Sequence, residues 1–412
     1  MKKVLMLSYH FPPEEGSCSD KNVKLLQSLT EAEIGVDVLT VGFHKEEEKY
    51  LGAKIYRVPG GFFHKNKNQE QVNNSFIPSG SNRITFKDKL KSFVQRHIIP
   101  DPVIDWYFEV KKWSATNSDL LKNYDLIFSI SSPYSSHIIA RYIYKKYNIQ
   151  YVCSYGDPWI YEPSRRRGWM RYRIEYNIEK RIVNDAKAIS VITDYNKREY
   201  ARLYHIDDNR IATFNIGYRH SEKKHEIQEP GNLPRLIYGG SLNPVHRNVA
   251  PFFEALQKAP VVSVDIYNED YPEVSNLVLK YNIESNVRIH KLIPAEQFNC
   301  ELYKSDVLLL FGNKTPFQVP GKLFEYISTG THIIYIKNNN DEDDGTSIIL
   351  KKYGNVSVVQ NNTAEIIDAL YSISIKYNEQ QLTPQSDIKD YEFHNTMRPV
   401  VEQVQSILND II

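Results

Sequence analysis

Short runs of hydrophobic residues alternate with amphipathic segments along the first half of the chain. The runs occupy Val4 to Ser8, Val36 to Val41, Leu126 to Ile130, Tyr151 to Ser154 and Ala188 to Ile192. Between several of them the apolar residues recur at helical spacing, as they do in Asp20 to Ala32. Strands that alternate with helices in this way predict a parallel sheet covered by helices.

The same alternation starts again in the second half. Strands are predicted at Leu236 to Gly240, Val261 to Ile266, Val287 to His290, Val307 to Phe311 and Ile333 to Ile336, and helices at Val249 to Leu256 and Tyr271 to Lys280. Residues 217–234 are charged and lack an apolar run, which is typical of an interdomain linker. We therefore predict two α/β domains, over 1–217 and 235–394, with a linker over 218–234. A helical stripe of apolar residues follows in 395–412.

One turn between a strand and a helix carries features of a nucleotide site. Pro320 suits the first helical position and Gly330 suits the residue after the helix, so the helix is predicted to begin near Gly321. Helix amides at that end attract phosphate, and Lys322 adds a full charge. Glu325, three residues further, lies on nearly the same face and can accept hydrogen bonds from a ribose diol.

The length, net charge and cysteine content of the chain restrict the classes of protein to which it can belong. A chain of 412 residues is long enough for two domains, and a net charge of +1 gives no reason to expect nucleic acid as a partner. The three cysteines are scattered and show no metal-ligand spacing, so we expect a reducing, cytoplasmic setting without structural zinc. No apolar stretch is long enough for a spanning helix.

A basic, aromatic segment runs from Phe86 to Trp113. Its cationic residues include Lys87, Lys89, Lys91 and Arg96, and its apolar residues include Phe93 and Trp106. Such a segment can lie on an anionic membrane surface at the inner face of the cell membrane. It can equally be an amphipathic helix that packs on its own domain, and the sequence leaves both interpretations open.

Several short motifs, in order, resemble those of retaining GT-B glycosyltransferases, specifically glycosyltransferase family 4. They are Tyr9-His10-Phe11-Pro12-Pro13-Glu14 with Gly16, Asp125-Leu126-Ile127 to Ser131-Ser132-Pro133, Ser136-His137, Gly156-Asp157-Pro158-Trp159, Tyr238-Gly239-Gly240-Ser241-Leu242 and Pro320-Gly321-Lys322-Leu323-Phe324-Glu325-Tyr326. The likeness covers nearly the whole chain. Pro100-Asp101-Pro102 with Trp106 resembles the lipid-acceptor, cell-surface polysaccharide branch of that family.

The resemblance implies a GT-B fold, in which two Rossmann-like doubly wound domains face a cleft and the C-terminal helix (395–412) crosses back to the N-terminal domain. It implies that the first domain binds the acceptor and the second binds a nucleoside-diphosphate sugar, such as a UDP or GDP sugar. The implied donor-binding residues are Gly16, Ser17, Gly240, Ser241, Arg247, Gly321, Lys322, Leu323 and Glu325. His137 and Asp157 correspond to catalytic positions, and Asp157 and Trp159 to acceptor-side positions.

The chain departs from the family at two points. The family's donor site usually has two glutamates eight residues apart; Glu325 matches the second, but Phe317 occupies the first position. Arg247 follows the Gly239-Gly240 motif as the family's arginine does, whereas the lysine expected shortly after it is absent, and Lys322 is the candidate replacement. Cations and helix amides would stabilise the leaving diphosphate, so neither a metal nor a cofactor is expected.

Specific residues argue for or against four other functions. Asp341-Glu342-Asp343 contains the Asp-x-Asp of metal-dependent transferases but lies in an all-polar loop, where a solvated acidic turn is the better interpretation. A dinucleotide dehydrogenase is disfavoured because neither half carries Gly-x-Gly-x-x-Gly after its first strand. A sugar-nucleotide epimerase, or a nucleotide-sugar or glycan-binding protein without turnover, stays open, and Phe317 is the residue that keeps the latter open.

Overall fold

The computed structural model describes residues 2–43, 48–61, 98–162, 167–220, 231–242, 247–268 and 272–411. Lys87, Lys89, Lys91 and Arg96 lie outside these ranges, as do 221–230 of the predicted linker. The chain divides into two compact units: Met1–Asn215 with Met397–Ile412 forms unit 1, and Ile216–Thr396 forms unit 2.

Unit 1 is built on one sheet with helices between its strands. In chain order its elements are β1 (Lys3–Leu7), α1 (Ser17–Glu31), β2 (Gly35–Val41), β3 (Lys49–Tyr50), β4 (Ala53–Val58), α2 (Trp106–Thr116), α3 (Ser118–Leu121), β5 (Leu126–Ser131), α4 (Ser135–Tyr147), β6 (Gln150–Tyr155), α5 (Trp169–Asp185), β7 (Ala188–Val191), α6 (Asp194–Tyr204) and β8 (Ile211–Thr213). The strand order is β3-β4-β2-β1-β5-β6-β7-β8, and every pair except β3 with β4 is parallel.

Unit 2 has the same plan. Its elements are β9 (Arg235–Gly239), α7 (Ala250–Lys258), β10 (Ser263–Asn268), α8 (Pro272–Lys280), β11 (Val287–Lys291), α9 (Ala295–Tyr303), β12 (Val307–Phe311), α10 (Leu323–Ile327), β13 (His332–Lys337), α11 (Gly345–Tyr353), β14 (Val356–Gln360) and α12 (Thr363–Asn378). The strand order is β11-β10-β9-β12-β13-β14, all parallel. The strand order therefore reverses between β9 and β12, where doubly wound sheets bind ligands.

The central strands are buried along their whole length because helices cover both of their faces, and most of their residues are hydrophobic. All five residues of β12 are buried, and so are all six of β5. Such runs are expected in parallel sheets, which do not face water on either side. The prediction of an α/β protein with two Rossmann-like, parallel-sheet domains is confirmed.

The final helix, α13 (Phe393–Asp410), belongs to unit 1 from Met397 onward. The Ser28 hydroxyl donates to the Met397 sulfur at 3.7 Å, and the Gln405 amide donates to the Ala32 carbonyl at 3.3 Å. Val400, Val404 and Ile407 of its apolar stripe are buried, and this part of the helix belongs to the first unit, as the resemblance implied.

The helix that follows Pro320 is shorter than predicted. It begins at Leu323 rather than near Gly321, and it ends at Ile327. Pro320 therefore precedes the helix instead of opening it. Gly330 lies beyond its end with a φ of 72°, and a Cβ atom there would meet the Gln385 carbonyl oxygen at 2.1 Å. This close approach of a second chain segment is what requires glycine at position 330.

Candidate functional site

The reversal of strand order in unit 2 brings Lys322 against the end of β9. Its ammonium group donates a hydrogen bond to the Gly239 carbonyl and lies 3.8 Å from the centre of the Tyr238 ring. Gly240, the next residue, has a φ of +111°, and a Cβ atom there would lie 2.8 Å from the Lys322 nitrogen. Glycine at 240 therefore provides both the left-handed turn and the space for the lysine.

Arg247 lies at the same point and bridges the two central strands. Its Nη1 donates to the Ser241 carbonyl at 2.6 Å, and its Nε donates to the carbonyl of Phe311 at the end of β12 at 3.2 Å. Nη2 donates to Asn313 Oδ1 at 3.1 Å. These bonds hold the guanidinium group in one orientation, so a fixed positive charge stands at the carboxyl edge of the sheet.

The two cations influence each other. Burial lowers the pKa of Lys322 well below its ordinary value, the Arg247 charge lowers it further, and only Glu325 acts in the opposite direction. A dianionic or trianionic group bound beside both side chains would supply the missing counter-charge and raise that pKa again. The arrangement can therefore hold a phosphate or diphosphate.

Of the other predicted donor-binding residues of unit 2, two are exposed to solvent and one is buried. Gly321 is exposed, with no atom within 4 Å of the place where a Cβ would lie, and the Glu325 side chain is exposed on α10. Leu323 is fully buried in the core, so only its backbone could contact a ligand. Because α10 has only five residues, its dipole is small, and the side chains of Lys322 and Arg247, rather than helix amides, supply most of the positive charge at this edge.

A pocket of about 600 Å³ adjoins this edge, and no pattern in the sequence predicted it. It is lined by Tyr267, His290, Lys291, Ile293, Gln297, Cys300 and Glu301. The rings of Tyr267 and His290, on neighbouring strands, stack with their centres 4.4 Å apart. His290 Nε2 is hydrogen-bonded to Asp265 Oδ1 at 2.7 Å. The Gly240 amide donates to the Tyr267 carbonyl at 2.7 Å, which joins the pocket wall to the glycine turn.

Unit 1 has a comparable reversal between β1 and β5, and a buried lysine lies there. Lys21, on α1, is 6% exposed and donates to the Ser131 carbonyl at 2.9 Å. A Cβ atom on Gly156 would lie 2.4 Å from its nitrogen, so any larger residue there would displace the lysine from its present position. Burial lowers the pKa of Lys21, while the negative charge of Asp157 opposes that shift. Lys21 could not be identified as a site residue from the sequence, since it is one of several polar residues in an amphipathic helix.

His137 lies near Lys21 and is completely buried. Its Nδ1 is 2.8 Å from the Ser129 hydroxyl oxygen, and its Nε2 has no hydrogen-bond partner among the described residues. Burial, followed by the Lys21 charge, lowers the pKa of His137 to about 3, so the ring is neutral at physiological pH. A neutral imidazole with an unused nitrogen can accept or donate one further hydrogen bond.

The loop after β6 carries the two predicted acceptor-side residues. Asp157 is half-buried, and its backbone carbonyl accepts from the Tyr134 hydroxyl at 3.4 Å. Trp159 is fully buried and stacks on Tyr134 with ring centres 5.0 Å apart, so its side chain supports the loop and has no surface for an acceptor.

Asp101 of the Pro100-Asp101-Pro102 motif is also buried and has a structural partner. Its carboxylate accepts from the Ser135 backbone amide at 2.9 Å and from the Ser135 hydroxyl at 2.5 Å, at the start of α4. The motif thus holds the helix that carries His137. Gly16 and Ser17 lie exposed at the start of α1, after β1, and Gly16 has a φ of 125°.

Within the described ranges, no group of three or more His, Cys, Asp or Glu side chains could hold a metal ion. Asp341, Glu342 and Asp343 are exposed, and Asp343 pairs with Lys351 at 2.8 Å. None of the helices in those ranges is long and apolar enough to cross a membrane.

The chain matches no protein-family model and no curated protein in sequence. Its structure is similar to that of sucrose-phosphate synthase from Thermosynechococcus elongatus, with a TM-score of 0.67 and 14% identity over 99% of this chain and 98% of that one. The apo form of the lipopolysaccharide outer core galactosyltransferase WaaB is similar with a TM-score of 0.60 and 12% identity, over 98% of this chain and 99% of that one. Anabaena Alr3699/HepE, solved in complex with UDP and glucose, is similar with a TM-score of 0.59 and 10% identity over the full length of both chains. The chain thus has the fold of GT-B glycosyltransferases.

Proposed function

We propose that the chain is a retaining glycosyltransferase that moves a sugar from a nucleoside-diphosphate sugar to a glycan or lipid-linked acceptor. The observation that carries this proposal is the convergence of Lys322 and Arg247 on the glycine turn at Gly240. A lysine and an arginine held in place at the switch point of a doubly wound sheet suit a diphosphate, whose charge would favour the protonated form of the lysine. The proteins of similar fold named above include transferases, and one of them was solved with UDP and glucose.

The neighbouring pocket suits the base of the nucleotide. Aromatic rings such as those of Tyr267 and His290 provide flat apolar surface for a planar base, and a volume of about 600 Å³ is within the range of small-molecule sites. Glu325 is the proposed ribose ligand, because an exposed carboxylate can accept from both hydroxyls of a diol. Backbone atoms of Gly321 and Leu323 would complete the donor site.

The proposed reaction breaks the bond between the sugar and the diphosphate. Negative charge then grows on the leaving group, so cations held in place beforehand stabilise the transition state more than the ground state. Lys322 and Arg247 are held in this way by carbonyl oxygens of the protein. The reaction as proposed uses no metal and no cofactor.

In unit 1 we assign the sugar-side chemistry to His137 and Asp157. The unused Nε2 of the neutral His137 can bond a sugar hydroxyl that enters past the Tyr155 ring, whose centre lies 4.4 Å from that of the imidazole. The half-buried Asp157 carboxylate can orient or deprotonate an acceptor hydroxyl. Gly16 and Ser17, open at the edge of the same sheet, are proposed donor contacts. Lys21 supports this edge through Ser131.

We place the activity in the biosynthesis of a cell-surface polysaccharide, at the cytoplasmic face of the membrane. Support comes from the resemblance of the sequence to that branch and from the likeness in fold to a lipopolysaccharide galactosyltransferase. The proposed acceptor is therefore a growing glycan, either free or attached to a lipid carrier.

Nucleoside diphosphate release tests the proposal. The protein is incubated with a panel of UDP and GDP sugars, with and without a membrane extract, and the products are separated. Release that requires the extract, with the anomeric configuration retained in the product, supports a retaining transferase. Conversion of a nucleotide sugar without any acceptor would identify an epimerase instead. Tight binding without release in either case would identify a binding protein, the alternative that Phe317 keeps open.

A further inference from the structure

The first two turns of α5 expose four large hydrophobic side chains within six residues. The exposed fractions are 75% for Trp169, 61% for Met170, 44% for Tyr172 and 47% for Ile174. Soluble proteins rarely leave such a group of apolar side chains together in water, and where they do, the group usually meets a partner. These four residues are called the α5 surface below.

Basic residues accompany the α5 surface. Arg173 is exposed within it, and no acidic residue occurs in the first turn of the helix. Arg167 and Arg171 both bind the completely buried carboxylate of Glu175, at 2.5 and 2.7 Å. Two guanidinium groups thus share one buried carboxylate beneath the start of the helix, and the exposed Arg173 adds a positive charge beside the apolar side chains.

The scaffold beneath the α5 surface is firmly held. Besides binding Glu175, Arg167 donates to the Trp159 carbonyl at 2.5 Å, and Arg171 donates to the Ile98 carbonyl at 2.9 Å. Buried ion pairs and backbone bonds thus fix the start of α5. The backbone that carries the apolar side chains therefore loses little conformational entropy when those side chains enter another phase.

We propose that the α5 surface docks on an anionic lipid bilayer. Trp and Tyr side chains prefer the boundary between headgroups and acyl chains. The transfer of Met and Ile side chains out of water is favourable in free energy, and arginine pairs with lipid phosphate. The positive charge of Arg173 is complementary to an anionic leaflet. The docking site consists of described residues of α5 alone and does not depend on the donor chemistry proposed above.

Tryptophan fluorescence tests the docking directly. Trp106 and Trp159 are completely buried, and Trp113 is half-buried, so the difference between the native protein and Trp169→Phe reports on Trp169. Vesicles of phosphatidylcholine with phosphatidylglycerol should shift its emission to shorter wavelength, and brominated lipid in the same vesicles should quench it. Vesicles of phosphatidylcholine alone should have a weaker effect.

Vesicle flotation measures the partition. Met170→Gln with Ile174→Gln should lower the partition coefficient on the mixed vesicles by about tenfold, since two apolar side chains no longer leave water. Arg173→Gln should weaken binding to the mixed vesicles and not to phosphatidylcholine. Leu279→Gln, which alters a side chain of unit 2 that is 60% exposed, is the matched control and should leave the partition unchanged.

Three results would overturn the proposal. First, a folded protein could fail to float with the vesicles and show no change in Trp169 emission when vesicles are added. Trp169 could be shielded from acrylamide in the absence of vesicles, which would mean that another part of the chain covers it. The glutamine variants could abolish a dimer seen by sedimentation, which would make the partner a second copy. Calorimetric binding of UDP or GDP, measured on the same variants, reports separately on the proposed function.

Discussion

The Lys322 ammonium group donates a hydrogen bond to the Gly239 carbonyl and lies against the ring of the residue before it, Tyr238. Gly239 ends β9, whereas Lys322 follows β12, so this bond joins the two sides of the point where the strand order reverses. A phosphate bound there would meet a lysine that is already oriented.

Replacing Lys322 with Met should weaken UDP or GDP binding by about ten- to a hundredfold, the usual range for losing one charge-assisted hydrogen bond. Calorimetry measures the affinity, and circular dichroism checks the fold. Lys351→Met, at an exposed lysine of the same unit, is the control and should bind as the native protein does. Equal affinities for native and Lys322→Met proteins would remove Lys322 from the site.

Binding of the diphosphate should also take up protons. The pKa of Lys322 is lowered by burial and by Arg247, and a bound anion raises it, so the amine gains a proton at any pH between the free and bound values. Calorimetry in two buffers of different ionisation enthalpy measures the uptake. The uptake should disappear in Lys322→Met; an undiminished uptake would assign the proton to another group.

Glu325→Ala should lose roughly 2 to 4 kcal/mol of donor binding without unfolding the protein, because two charge-assisted bonds to ribose disappear from an exposed side chain. The native protein should therefore prefer UDP over 2′-deoxy-UDP, and the variant should not distinguish them. Glu342→Ala, at another exposed carboxylate, is the control. A variant that still discriminates would show that ribose binds elsewhere.

Turnover should continue in EDTA, since Lys322 and Arg247 are proposed to balance the diphosphate charge. The measurement is nucleoside diphosphate release before and after chelation. Loss of activity that manganese restores would instead favour a metal held by Asp341 and Asp343.

Stability should depend on Glu179 near neutral pH. This buried carboxylate accepts from the Tyr200 hydroxyl at 2.8 Å and the Ile160 amide at 3.1 Å, yet burial outweighs these bonds and raises its pKa from 4.5 to about 7. The folded state thus binds a proton that the unfolded state releases above 4.5. The stabilisation is complete below pH 4.5 and is lost as pH rises through about 7, on the order of 3 kcal/mol in all.

Urea unfolding across this range measures the effect. Glu179→Gln should flatten the profile, whereas Glu273→Gln, at an exposed glutamate of α8, should keep it. An unchanged profile in Glu179→Gln would show that this carboxyl titrates normally.

Local patterns in the sequence were sufficient for the strands and most helices. A run such as Val307–Phe311 is predicted correctly because a central parallel strand is buried on both faces, so every residue in it is apolar. The same reasoning found two domains, and the chain order of the motifs pointed to Arg247 and Lys322. That they bind a donor stays a prediction, as do the roles of His137, Asp157 and Glu325.

Only the tertiary structure decided which residues meet. Lys21 is a polar residue in an amphipathic helix, and it becomes a buried cation because its nitrogen reaches the carbonyl of Ser131, 110 positions away. Tyr267 and His290 form a pocket wall because two strands are in register, which no local pattern encodes. Burial depends on such distant contacts, whereas secondary structure depends largely on neighbours along the chain. The elements could therefore be predicted from the sequence, and the pockets could not.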